Sequence, residues 1–433
     1  MPKRRDEPVI AGPVEDAPVW KDDDDVDLAI TVPKKVKKTF QVELKRNKDE
    51  ADGDLSSEQY IGRLQEAFKR RHGGTPKWAE KGGESDEDDE DSLLKSAAGY
   101  LKKDAKLPKT TIKTTLIKDF NIGHRASKGI NSVRFHKTRP VLITADVGGT
   151  VSLYKVSSEV KQDTFLQSAN FKTFPIDCME IGGQGHSVIC SSNRQEYLMQ
   201  YNMEQGHVVQ LKTPKTIPKQ GIQVFAISHD SQFLAIAGHN SHVYILHSTT
   251  MEHIKTISLP TNAVQIKFFP GNYREVWIIC ENGQIVVADI IATSQHMMMD
   301  DGAVHGTCMA ISHHGDYVAT GSDTGIVNVY DNTTCRSSSL PKPLFNIDNL
   351  VTSVSSIAFN TDAQLMAICS NIKDNQLRLV HVQSQTTFKN FPDRHGKVSR
   401  AKCVDISPKG GYMAVGNDDG KLHVFYIHHF SDY

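Results

Sequence analysis

The feature that most constrains this chain is a period. Short runs rich in β-branched and aromatic residues recur as Ser132–His136, Val224–Ser228, Ile266–Pro270, Cys308–Ser312, Ser356–Asn360 and Cys403–Ser407, with a weaker copy around Ile181. Aligned on Phe135, Ile181, Ile227, Phe269, Ile311, Phe359 and Ile406, the copies lie 46, 46, 42, 42, 48 and 47 residues apart. That spacing is the length of a four-stranded propeller blade.

Each unit continues in one order. In the fifth, His313–Asp316 reads as a polar turn, Tyr317–Gly321 as a strand, Ser322–Gly325 as a turn and Ile326–Asp331 as a third, alternating strand. The seventh repeats this with Pro408–Gly411, Tyr412–Gly416, Asn417–Gly420 and Lys421–Tyr426. Gly325 and Gly420 suit hairpin positions that need positive φ. Seven such sheets close into a ring, which removes free edges. Closure needs one strand that the seven units lack, and Thr111–Ile122 is expected to supply it as the outer strand of the last blade, joining the two ends of the chain like a clasp. The pattern is that of a WD-repeat propeller with a degenerate signature: Tyr330-Asp331 stands where Trp-Asp would be, and Ala288-Asp289 is a poorer substitute.

Charge divides the chain. Residues 1–109 carry 22 Lys+Arg and 25 Asp+Glu, whereas residues 110–433 carry 28 and 26. So charged a segment cannot bury enough apolar surface to fold alone. The expected organisation is a charged, largely disordered tail over 1–109, with a candidate docking helix at about 58–72, followed by an all-β, seven-bladed propeller over 110–433. Neither part is basic enough throughout to read as a nucleic-acid binder. Within the tail, Asp22–Asp25 and Asp86–Asp91 are acidic runs, and Ser85 and Ser92 flank the second. Their simplest reading is solvated chain; acid-directed phosphorylation and pairing with basic partners are the alternatives. Lys34, Lys35, Lys37 and Lys38 form a basic cluster, either a nuclear address or a contact with RNA phosphates. Tyr60, Leu64 and Phe68 recur every four residues and share one helical face, beside Arg63, Lys69, Arg70 and Arg71, before Gly73-Gly74 ends the helix. A stripe with no local core should dock on a partner or on the propeller, with Trp78 as a candidate anchor. Candidate RNA contacts are therefore Lys34, Lys35, Lys37, Lys38, Lys69, Arg70 and Arg71.

Signatures of catalysis are missing. There is no GxxxxGK[ST] phosphate loop, GxSxG elbow or HExxH pair. Asp323-Thr324-Gly325 resembles half of an aspartic-protease site but occurs once, in the turn where the seventh unit has Asp418-Asp419-Gly420. Gly182–Gly185 precedes no helical pattern and reads as a turn. His313-His314 and His428-His429, if on strands, would point to opposite faces and could not chelate a metal together. The cysteines Cys178, Cys190, Cys280, Cys308, Cys335, Cys369 and Cys403 are odd in number and form no CxxC, so they read as small buried groups in a reducing compartment. No window holds 18 consecutive apolar residues, and Lys3, Arg4 and Arg5 lead into Asp6 and Glu7 rather than an apolar stretch. The expectation is a non-enzymatic protein without metal, cofactor, membrane span or secretory leader.

Several runs are more specific than the repeat. They are Asp374–Val382, Thr387–Pro392, Gly411–Asn417, His428–Tyr433, Pro341–Pro343, Asn349–Thr352, Arg63-Leu64 and Gly73–Ala79. Together they resemble the U-three small nucleolar RNA-associated protein eighteen family, WD-repeat subunits of the small-subunit processome. The resemblance implies a non-catalytic scaffold of the nucleolar UtpB module, acting in pre-rRNA processing. Its partners there would be other propeller subunits and a helical-repeat subunit on the 5′ external spacer of pre-rRNA. Some fungal members recruit the exosome's helicase through a tail motif of the form Leu-Phe-x-apolar-Asp. That pattern occurs here as Leu344–Asp348, between two blades, so recruitment through these residues is not expected. The alternative is a generic peptide-reading propeller, for example a substrate receptor for ubiquitin ligation. Such a reader should gather Arg and Trp on one face, and only Trp277 of the three tryptophans lies in the propeller.

Overall fold

Alternating apolar residues in each repeat build antiparallel sheets whose two faces both pack, and seven of them are present. The computed structural model describes residues 107–433 except 118–119, 122, 127, 158–163, 393–397 and 431–432, together with 29–30, 55–56, 61–63 and 65. The chain divides into two compact units, Met1–Asp104 and Ala105–Tyr433. In the first, Ala29–Ile30 pairs with Leu55–Ser56, and Ile61–Arg63 and Gln65 are helical.

The second unit is a seven-bladed β-propeller. Blade one runs outward from the ring centre as Ile130–Phe135, Val141–Asp146, Thr150–Lys155 and Phe165–Asn170. The innermost strands of blades two to seven are Cys178–Gly182, Val224–Ile227, Ala263–Phe269, Gly306–Ile311, Ser356–Phe359 and Ala401–Ile406. Gly325 and Gly420 adopt φ of 92° and 75°, as the hairpin turns require. At Gly325 a Cβ would also lie 2.4 Å from the Leu350 carbonyl oxygen, so the position excludes any side chain.

The ladder corrects one step of the repeat alignment. Phe135 faces Leu142, Ile181 faces Val188, and Ile311 faces Val318. In blade four it is Phe268, opposite Val276, that holds this place, because the register shifts before Phe269 pairs with Asn272. Lys267 is thereby equivalent to Arg134 and Glu180.

The core is a ring of wedges between sheets. Each of seven apolar clusters joins two neighbouring blades, as where Ile143 and Leu153 of blade one meet Met179 and Val188 of blade two. Second strands such as Tyr412–Asn417 are buried at every position. Six cysteines are buried, Cys178 is half-buried, and all seven are free thiols. Burial pushes the Cys308 and Cys369 thiols up to about 12, which keeps them protonated and inert.

Ring closure uses the expected clasp. Thr114–Ile117 pairs antiparallel with Leu422–Ile427, Thr114 opposite Ile427 and Ile117 opposite Val424. The clasp then extends backwards along blade six. The Asn390 side chain accepts from Ile112 N at 3.0 Å and donates to Ile112 O at 2.6 Å, replacing a strand partner. Leu107, on the tail side of the expected boundary, is 5% exposed and belongs to the cluster between blades six and seven.

Removing the segment before Lys128 therefore uncovers the last blade's edge and deletes four buried apolar side chains, Leu107, Ile112, Ile117 and Phe120. At about 2 kcal/mol each this approaches the whole stability of a domain, about 5–15 kcal/mol. A chain of residues 107–433 is expected to melt cooperatively as a monomer and one of residues 128–433 to aggregate, as read by thermal unfolding and size exclusion. Equal behaviour would remove the clasp from the account of closure.

Candidate functional site

The innermost strands place one residue per blade in a common layer around the central channel. In order from blade seven through blade six the layer holds Asp405, Arg134, Glu180, Ala226, Lys267, Ala310 and Ala358. Arg134 grips Glu180 with two parallel bonds, Nη2 to Oε1 at 2.9 Å and Nε to Oε2 at 3.2 Å. Lys267 Nζ reaches Glu180 Oε1 at 2.8 Å. That second bond spans blade three, and it can do so because blade three contributes only the methyl group of Ala226. Asp405 Oδ2 accepts from the Phe135 backbone at 2.8 Å and lies in the field of Arg134.

Burial alone would raise the Glu180 carboxyl, but Arg134 and Lys267 more than offset it and hold the group well below the usual carboxylate range. Burial and the same neighbours act on Arg134 in opposite senses: desolvation lowers it, Glu180 and Asp405 raise it, and the net direction is up. Asp405 is moved upward, by burial first, with Arg134 opposing. The layer is thus fully charged near neutral pH at Arg134 and Glu180.

Beyond this layer the channel opens at a mouth formed by the turns that follow the innermost strands. A cavity of about 210 Å³ there is lined by Arg134, Lys137, Glu180, His229 and Lys267 together with the apolar Phe135, Ile227 and Phe268. His229 lies 6.3 Å from the His313 ring and 6.4 Å from Tyr273, between ring centroids. His313 and His314 are in a turn rather than on a strand, 5.4 Å apart, and His428-His429 also form a turn. Among the described residues no group of three or more His, Cys, Asp or Glu could hold a metal ion. No helix among them is long and apolar enough to cross a membrane.

Blade five shows how the degenerate signature is rebuilt. Tyr330, standing where tryptophan would be, donates its hydroxyl to the buried Asp300 Oδ1 at 2.5 Å, and Asn328 Nδ2 donates to the same oxygen at 2.9 Å. Trp277 is fully buried and donates Nε1 to Glu275 at 2.8 Å, while Arg336 binds that carboxylate at 2.9 Å and lies 4.9 Å over the Phe269 ring. Trp277 is therefore a core residue. Leu344–Asp348 contains the outer strand Phe345–Ile347, paired with Val327–Val329.

Comparison with known proteins agrees with this geometry. The WD domain, G-beta repeat model matches residues 114–155, 292–331 and 386–425. Each match begins at or just before the outer strand of one blade and runs into the next, so the first match crosses the closure. A Caenorhabditis elegans protein called U3 small nucleolar RNA-associated protein 18 homolog is 71% identical over 420 residues, 96% of this chain and 97% of the relative. The chain belongs to the U3 small nucleolar RNA-associated protein 18 family. The human homolog of that name is 30% identical over 97% of this chain and 76% of its own length, and the Saccharomyces cerevisiae protein 24% identical over 95% and 79%. Within this member of the family, the candidate docking residues Tyr60, Leu64, Phe68 and Trp78 lie outside the described residues. So do the candidate RNA contacts Lys34, Lys35, Lys37, Lys38, Lys69, Arg70 and Arg71. The channel cluster was missed by sequence reasoning because its members are far apart in the chain and looked like dispersed surface charges. The available signal was charge at the strand position just before Phe135 and Ile181, where other repeats carry alanine.

Glu180→Gln should leave Arg134 and Lys267 partly uncompensated and lower stability by roughly 2 kcal/mol at pH 7. Because the folded carboxyl sits below its ordinary 4.5, this contribution is complete above that value and is lost as pH falls through the depressed one. Denaturant melts of both proteins from pH 7 downward should therefore converge in acid. A gap independent of pH would mean that the pair does not titrate as described.

Proposed function

We propose that this chain is a non-catalytic scaffold subunit of the small-subunit processome, acting in nucleolar pre-rRNA processing and small-subunit biogenesis. The observation that carries the reading is the 71% identity, over nearly both full lengths, to a protein named for association with U3 small nucleolar RNA. The ring of blades supports it physically. A closed propeller is rigid, offers both faces and the rim to partners, and needs no catalytic group. In the finer reading, the chain joins other UtpB propellers and a helical-repeat subunit on the 5′ external spacer. Recruitment of the exosome's helicase through Leu344–Asp348 is disfavoured, because using that motif would strip an outer strand from blade five.

The tail would supply docking and RNA contacts. Affinity purification of the tagged chain should recover U3 RNA and the UtpB subunits; recovery of a ubiquitin ligase instead would favour the adaptor reading. Replacing Leu64 and Phe68 by Ala should reduce partner recovery, since a buried anchor is worth about 2 kcal/mol, roughly thirtyfold in affinity. Unchanged recovery would count against a docking helix. If about four tail cations reach phosphates, affinity for single-stranded RNA should fall with salt at a log-log slope near about −3. A flat salt response would remove direct contact and leave the partners as the bridge to RNA.

A further inference from the structure

We propose that the channel mouth beside Lys137 is a binding site for one acidic side chain of a partner polypeptide, inserted next to an apolar residue. The inference goes beyond the scaffold reading and does not depend on it. It starts from a cation at the mouth, Lys137, that makes no ion pair among the described residues. In the layer below, Arg134 and Lys267 are both bonded to Glu180, and Arg134 also lies in the field of Asp405. Lys137, in the exposed turn above them, makes no hydrogen bond or ion pair among the described residues. The protein surface around the mouth partly desolvates its ammonium and moves it downward, with Glu180 opposing, and an anion seated there would favour its charged form.

His229 lines the same mouth and the His313 ring lies 6.3 Å from it, and both imidazoles are shifted downward. Burial comes first for His229, followed by Lys137 and His313, with Asp230 opposing; for His313 burial is followed by His314 and Lys137. Three weak bases around one opening act in concert: a bound carboxylate favours the charged form of each.

Shape and charge then choose among anions. The cavity of about 210 Å³ lies below the roughly 300 Å³ at which small-molecule pockets begin, so it suits a single side chain. Its walls combine cations with Phe135, Ile227, Phe268 and Pro270, which match an apolar neighbour on a peptide. A nucleic-acid backbone fits less well. It presents a phosphate at every nucleotide, whereas the mouth is a small cavity with apolar walls that takes a single charged group.

The test uses the full chain and a fluorescent peptide carrying glutamates beside a leucine, read by anisotropy at low salt. The glutamate peptide should bind and its glutamine counterpart should not. Lys137→Gln and Lys137→Glu should weaken binding about tenfold or more, whereas Lys172→Gln, a distant exposed cation, should leave it unchanged. Binding should tighten as pH falls through the range in which His229 and His313 take up protons. Lys137→Arg, which keeps the charge, should keep binding and guards against a folding defect in the other variants. Equal affinity of Lys137→Glu for the glutamate peptide would overturn the proposal, as would equal binding of the glutamine peptide. Single-stranded oligouridylate bound more tightly, through Lys137, would overturn it in favour of RNA.

Discussion

Everything in this propeller depends on closing the ring. Each blade is a sheet with two apolar faces and can bury them only against its two neighbours, so an open ring would expose an entire face at both ends. The clasp Thr114–Ile117 supplies the missing strand to the blade built by the last repeat, and Asn390 extends the grip to Ile112 with a pair of side-chain bonds. The aromatic ring of Tyr433 adds a further contact, packing 5.9 Å from Phe135 and donating its hydroxyl to the His136 carbonyl of blade one. The two ends of the unit are thus bound to the same seam, between blades seven and one.

Once closed, the ring creates a place the linear chain does not have. The channel brings a residue of every blade to one level, and the composition of that level sets its properties. Alanine at three of the seven positions leaves room, and the room lets Lys267 of blade four reach Glu180 of blade two across blade three. Tight geometry at Arg134 and Glu180 makes the pair worth its desolvation. Lys137 at the mouth makes no ion pair among the described residues. The same molecule thereby combines a bonded network that holds the blades and an exposed cation at the mouth.

Two sets of polar groups inside the wedges are closed by hydrogen bonds. Trp277, Glu275 and Arg336 form a closed set in which indole, carboxylate and guanidinium all have partners, and Tyr330 with Asn328 does the same for Asp300 Oδ1. The Tyr330 set stands where the WD signature of blade five is degenerate. Different side chains can thus satisfy buried polar groups between two sheets, and the family motif matches three stretches while all seven blades are formed.

The sequence by itself determined the number of blades, the order of strands within each and the need for a clasp, because these follow from local alternation and from a period that repeats. It also determined that Gly325 and Gly420 sit at turns of positive φ, a demand made by the backbone of the hairpin alone. Only the tertiary structure decided the offset in blade four, where a register shift at Phe268 moves Lys267 into the charged layer, since a one-residue slip leaves composition unchanged and alters every neighbour. The charged layer itself was equally hidden. Arg134, Glu180, Lys267 and Asp405 are separated by tens to hundreds of residues, and nothing local distinguishes them from surface charges; they become a site when seven innermost strands converge on one axis and bring their side chains within bonding distance.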